Sequence, residues 1–133
     1  MTLILLFSVG FADEYSLKWE FSLQKDEPKK ILVKYEGEKK LLVFRWTLYV
    51  NGGLVVLRSY NSYVAQNILA LNHKNQTFRV QIKPRAANAF NVPYILVKFK
   101  EFDTKKDQAK FELYLYDTEA TKIWLEEIKK KSG

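Results

Sequence analysis

The chain has 133 residues, 47% hydrophobic and 15% aromatic, which fits one domain with a packed core and excludes a disordered chain. Lys and Arg outnumber Asp and Glu by 22 to 15, and the resulting charge of +7 favours anionic partners. There is no cysteine, which excludes disulfides, thiol nucleophiles and cysteine-based zinc sites together.

Residues 2–11 are almost wholly apolar and end in Val9-Gly10-Phe11-Ala12, followed at once by Asp13-Glu14. Small residues at Gly10 and Ala12 suit a signal-peptidase site, so residues 1–12 read as the remnant of a signal peptide, cleaved after Ala12. The basic segment that usually precedes such a run is missing, and a buried first strand is the competing reading. The run is too short to span a bilayer as a helix, which needs about 20 apolar residues. Export without cysteine points to a bacterial periplasm rather than a disulfide-stapled secreted domain.

Residues 13–133 read as one β-rich domain. Tyr15, Leu17, Trp19, Phe21 and Leu23 alternate with polar residues, the period of a half-buried strand. Asp26-Glu27-Pro28 breaks it. Ile31, Val33 and Tyr35 form a second strand, which turns at Gly37. A third runs over 40–50 and meets Asn51-Gly52, a strong hairpin signal because both turn positions need positive φ. The return strand covers 54–60. Residues 68–71 suit a short strand better than the end of a helix. Residues 77–83 alternate with Phe78, Val80 and Ile82 inward. Residues 84–93 form a loop. Strands over 94–102 and 109–116 follow, with Ile95, Val97, Phe99, Phe111, Leu113 and Leu115 inward. Ala120, Ile123, Trp124 and Ile128 then lie at helical spacing, which predicts a C-terminal helix over about 118–131. The expected fold is all-β with a C-terminal α-helix: about eight antiparallel strands in a meander, closed as a small barrel or folded as a sandwich.

Charge is unevenly placed. Residues 39–100 contain ten Lys and Arg and no acid, while all fifteen acids lie in the flanks. With a two-residue Asn51-Gly52 turn, paired positions of the hairpin sum to 103. Arg45 then faces Arg58, beside Thr47, Tyr49 and Tyr60, and away from Phe44 and Trp46. Opposed cations destabilise a sheet by about 0.2–1 kcal/mol unless an anion or a distant carboxylate relieves them. By alternation Arg79 and Lys83 share an outer face with Lys98 and Lys100, and Arg85 extends this group into the 84–93 loop, which also presents Phe90.

Catalytic signatures are lacking. His73 is the only histidine and sits in a polar turn, and no nucleophile elbow or glycine-rich phosphate loop is present. The expectation is therefore a non-enzymatic, exported binding or assembly module without cofactor or metal. Its basic, tyrosine-bearing sheet face, comprising Arg45, Arg58, Tyr49, Tyr60, Arg79, Lys83, Arg85, Lys98 and Lys100, would bind an acidic protein surface or an anionic envelope component. One alternative is a small-molecule carrier with an apolar cavity, laid out like a lipocalin-type barrel in architecture alone. Another is a nucleic-acid-binding β module, which the export-like N-terminus and the lack of an RNA-binding signature rank last.

Overall fold

A computed structural model describes residues 15–72, 74–82, 92–117 and 123–129. Among these residues nine antiparallel strands form two sheets. They are β1 (Leu17–Gln24), β2 (Lys29–Tyr35), β3 (Glu38–Val50), β4 (Gly53–Tyr60), β5 (Tyr63–Ala70), β6 (Thr77–Gln81), β7 (Tyr94–Asp103), β8 (Gln108–Tyr116) and β9 (Ile123–Glu127). One sheet has the order β1-β8-β7-β6 and the other β5-β4-β3-β2-β9, so the barrel is not closed.

Two hairpin meanders, β2 to β5 and β6 to β8, follow chain order. Tight turns make the first of them. Glu36-Gly37, Asn51-Gly52 and Asn61-Ser62 all have positive φ at both positions, the turn whose twist suits antiparallel strands. The terminal strands depart from a simple meander. β1 pairs with β8, and β9 pairs with β2. The link from β1 to β2 bends at Asp26, where φ is 63°, and its amide donates to the Trp46 carbonyl at 2.9 Å. Pro28 ends this short link, which carries the chain from one sheet to the other.

The predicted C-terminal helix is not present among the described residues. Ile123–Glu127 is a strand, with Ile123 and Leu125 packed against the core and Trp124 exposed. Two ion pairs tie it to β2. Lys29 Nζ lies 2.6 Å from Glu127 and Lys34 Nζ 2.7 Å from Glu126. Lys29 is only 8% exposed and also sits over the Phe21 ring at 4.3 Å. A buried ammonium needs a nearby carboxylate, and β9 supplies one. Residues 118–122, 130 and 131 of that expectation lie outside the described residues, as do the signal-like segment 1–12, His73 and Phe90.

The core fills the space between the sheets. Phe44 touches Phe21, Phe78 and Phe111 with ring centroids 5.5–5.9 Å apart. Trp46 is buried, and its indole Nε1 donates to the Leu23 carbonyl at 2.8 Å, joining β3 to β1 across the layers. The inward sets expected on β2, β6, β7 and β8 are buried as read.

The β3–β4 hairpin differs from its expected register. Near the turn Leu48 pairs with Val55 as a two-residue turn requires, but Trp46 pairs with Val56, leaving Thr47 as a bulge. One extra residue inverts the side-chain phase beyond it. Leu42, Phe44 and Trp46 remain inward, but Leu48 and Val50 turn out to solvent and Tyr49 turns in. On β4 the buried residues are Leu54, Val56 and Tyr60, which sets Arg58 in phase with the core face.

Candidate anion-binding groove

The bulge separates the expected arginine pair. Arg45 lies opposite Leu57 and Arg58 opposite Phe44, so they occupy opposite faces of their sheet. Arg45 is exposed, with Nε 3.9 Å from an Asp26 carboxylate oxygen. Arg58 is half-buried at the core side. Its Nε donates to Asn67 Oδ1 at 2.7 Å, and its guanidinium lies 5.0 Å from the centre of the Phe78 ring. Burial lowers its pKa from the ordinary arginine value. The cation is thus held by an amide and an aromatic face, without a carboxylate within salt-bridge distance among the described residues.

Both tyrosines expected beside Arg45 point inward. Tyr49 stacks on Phe102 at 3.9 Å. Tyr60 is buried and its hydroxyl donates to the Ile82 carbonyl at 2.6 Å, which fastens the end of β4 to the residue after β6. Burial raises the Tyr60 pKa above its usual value, so the phenol stays protonated and remains a donor.

The second basic group divides. Arg79 projects from β6 and lies over the Tyr94 ring at 4.0 Å. Lys98 and Lys100 share the outer face of that sheet, but a flank acid joins them. Lys98 pairs across strands with Glu112, and Lys100 Nζ is 3.7 Å from the Glu112 carboxylate. Lys18 Nζ is 3.3 Å away and the Tyr114 hydroxyl donates to the other oxygen at 2.5 Å. Burial works to raise the Glu112 pKa, but Tyr114, Lys18 and Lys100 outweigh it and hold the carboxyl below its ordinary value. Glu112 therefore cancels part of the field on this face. Lys83 and Arg85 lie outside the described residues.

What the fold does bring together is Arg58 and Arg79, from different sheets. They line an open groove of about 350 Å³ where edge strand β6 approaches the β4–β5 hairpin. Lys40, Tyr60, Asn61, Tyr63 and residues 80–82 also line it. None of the described lining residues is acidic, although Glu38 sits 3.6 Å from Lys40. A hydrogen bond to Tyr35, opposed by burial and aided further by Tyr35 and Glu38, raises the Lys40 pKa, so this cation stays charged at neutral pH. The wall offers guanidinium forks, an ammonium and polar side chains, a set suited to phosphate or carboxylate oxygens.

Lys40 and Tyr63 were not among the residues expected from sequence. The signal for Tyr63 was Asn61-Ser62, which reads as a two-residue turn once positive φ is accepted at both positions and sets Tyr63 opposite Tyr60. The signal for Lys40 was strand phase: it lies two residues before buried Leu42 and opposite buried Val33, so alternation sets it on the core face.

No group of three or more His, Cys, Asp or Glu residues that would hold a metal occurs among the described residues, and none of them forms a helix long and apolar enough to cross a membrane. No family model, curated protein or solved structure matches the chain.

Proposed function

We propose that the protein is a non-enzymatic binding module that grips an anionic group, carried by an acidic protein surface or an anionic envelope component, in the groove between β6 and the β4–β5 hairpin. The observation that carries this reading is the convergence of Arg58 and Arg79, together with Lys40 and its partner Glu38, on one groove whose described lining residues include no carboxylate. Arg58 is half-buried with an amide and a ring as neighbours, so an anion would supply its counter-charge. Charge-assisted hydrogen bonds of this kind contribute about 1.5–3 kcal/mol each.

The binding face is thereby shifted from the expected Arg45, Arg58 and tyrosine surface to the edge between sheets. Arg45 has Asp26 beside it, and Lys98 and Lys100 have Glu112. The apolar, signal-like N-terminus supports a place outside the cytoplasm, where lipopolysaccharide phosphates, peptidoglycan carboxylates or an acidic assembly partner would be met. Nothing among the described residues favours a carrier of apolar molecules, since aromatic side chains occupy the space between the sheets.

The test is titration of lipopolysaccharide and of a short poly-glutamate peptide against the wild type and Arg58→Ser/Arg79→Ser, at low and high salt. Binding of at least one probe that weakens about tenfold or more in the variant, and weakens with salt, is expected. Equal binding by variant and wild type would remove the groove from the account.

A further inference from the structure

Strand β5, in the hairpin that borders the groove, has an edge unlike the other three. Edge strands are templates for further pairing, and proteins blunt them with charge, proline or cover. β1 carries Lys18 and Glu20, β6 carries Arg79, and β9 carries Glu126 and Glu127. β5 reads Tyr-Val-Ala-Gln-Asn-Ile-Leu-Ala and carries no charge and no proline. It lies inside residues 59–73, the longest stretch of the chain without Asp, Glu, Lys or Arg. Among the described residues no strand pairs with its outer side.

The direction of its free backbone groups can be read. The Ala70 amide donates to the Asn75 carbonyl at 3.2 Å, and the Ile68 carbonyl accepts from Asn75 Nδ2 at 3.0 Å. Asn75 is not on β4, so the backbone groups of Ile68 and Ala70 point to the open edge. Along a strand this direction alternates, so Val64 and Gln66 point the same way. Asn75 closes the far end, which leaves an open run from Val64 to Ile68 centred on Gln66.

That run is complementary to itself. In an antiparallel pairing about a two-fold axis normal to the sheet, Gln66 meets Gln66 of the second copy, and Val64 meets its Ile68. Each of these is a pair whose backbone groups face one another, giving up to about six hydrogen bonds. The Ile68 carbonyl has a second lone pair and keeps its bond to Asn75. The same register puts outer face against outer face. Val64 and Ile68, 70% and 55% exposed, cover one another's apolar surface, and exposed Leu48 and Val50 lie on the same face of the sheet. A chain of charge +7 repels its copies over most of its surface, and this uncharged edge is where that repulsion is least.

We propose that β5 is a homodimerisation edge, through which two copies of this chain pair antiparallel about Gln66 to join their five-stranded sheets into one continuous sheet. The pairing is independent of what the groove binds.

Gln66 is exposed, so substitutions there leave the fold intact. Sedimentation of the full chain at physiological salt is expected to show a dimer with a dissociation constant at or below about 100 µM. Gln66→Lys and Gln66→Glu each set like charges opposite one another and should be monomeric over the same range. An equimolar mixture of the two variants should recover the dimer, because an ammonium on one chain then faces a carboxylate on the other. A monomeric wild type, a Gln66→Lys chain that dimerises like the wild type, or a mixture that stays monomeric each overturns the proposal.

Discussion

The Lys29–Glu127 pair makes a sharp test of the C-terminal strand, because its two halves should not be equally sensitive. Lys29 is 8% exposed and lies over Phe21, whereas the Glu127 side chain is 37% exposed. Removing one partner of a wholly buried pair costs about 3–5 kcal/mol, since a bare charge is left inside. Glu127→Ala leaves the Lys29 ammonium against an aromatic face with limited access to water, so a cost of about 2–3 kcal/mol is expected, somewhat below that range. Lys29→Met keeps the packing of the stem and leaves Glu127 free to turn to solvent, so its cost should be about 1 kcal/mol or less. The double variant should resemble Lys29→Met, giving a coupling of about 2 kcal/mol. Urea unfolding followed by tryptophan fluorescence gives all four stabilities, with buried Trp46 as an internal reporter. Were this segment instead a solvated helix, Glu127→Ala would be a surface change within about 0.5 kcal/mol of wild type. That result, or simple additivity in the cycle, would refute the placement of β9 on β2.

Further outcomes follow from other contacts. Glu112 has a lowered folded-state pKa, so its contribution to stability is present above the unfolded carboxyl value and is lost as pH falls through the folded one. Glu112→Gln should cost about 1–3 kcal/mol at neutral pH and flatten the acid limb of the stability curve, read by thermal melts from neutral pH downward. Trp46→Phe leaves the Leu23 carbonyl without its 2.8 Å donor and should cost about 1–3 kcal/mol by denaturant unfolding. Tyr60→Phe removes the hydroxyl that joins β4 to the end of β6, with an expected cost of about 1–2 kcal/mol and faster hydrogen exchange at the β6 edge.

Strand period was legible wherever one face is buried. Ile31, Val33 and Tyr35, or Ile95, Val97 and Phe99, alternate with exposed or half-exposed residues and lie in the core as expected. Asn51-Gly52 was legible because its backbone needs those residues. The Thr47 bulge was not, since a bulge without glycine has no composition of its own. Its cost to the reading was large, because one residue exchanged the faces of Arg58, Tyr49 and Tyr60. Arg58 is tolerated on the core side because Asn67 and Phe78, from β5 and β6, accept it. Ile123–Glu127 is too short for its period to separate helix from strand, and what decides it is Lys29, far away in the sequence. The acid-free centre was visible as a charge count. That Glu112 would fold over Lys98 and Lys100, and leave the groove arginines uncovered, depends on pairing between β7 and β8 that no local pattern encodes.

The central claim is that Arg58 and Arg79, with no carboxylate within salt-bridge distance among the described residues, make the groove between the sheet edges the anion site. Titration of isotope-labelled protein with inorganic pyrophosphate, followed by side-chain and amide NMR shifts, tests it residue by residue. The account predicts saturable shifts at Arg58, Arg79, Lys40 and Tyr63 that Arg58→Ser/Arg79→Ser abolishes, with Lys98 and Lys100 little changed. Shifts confined to Arg45 or to the Lys98–Lys100 face, or none that saturate, would contradict it.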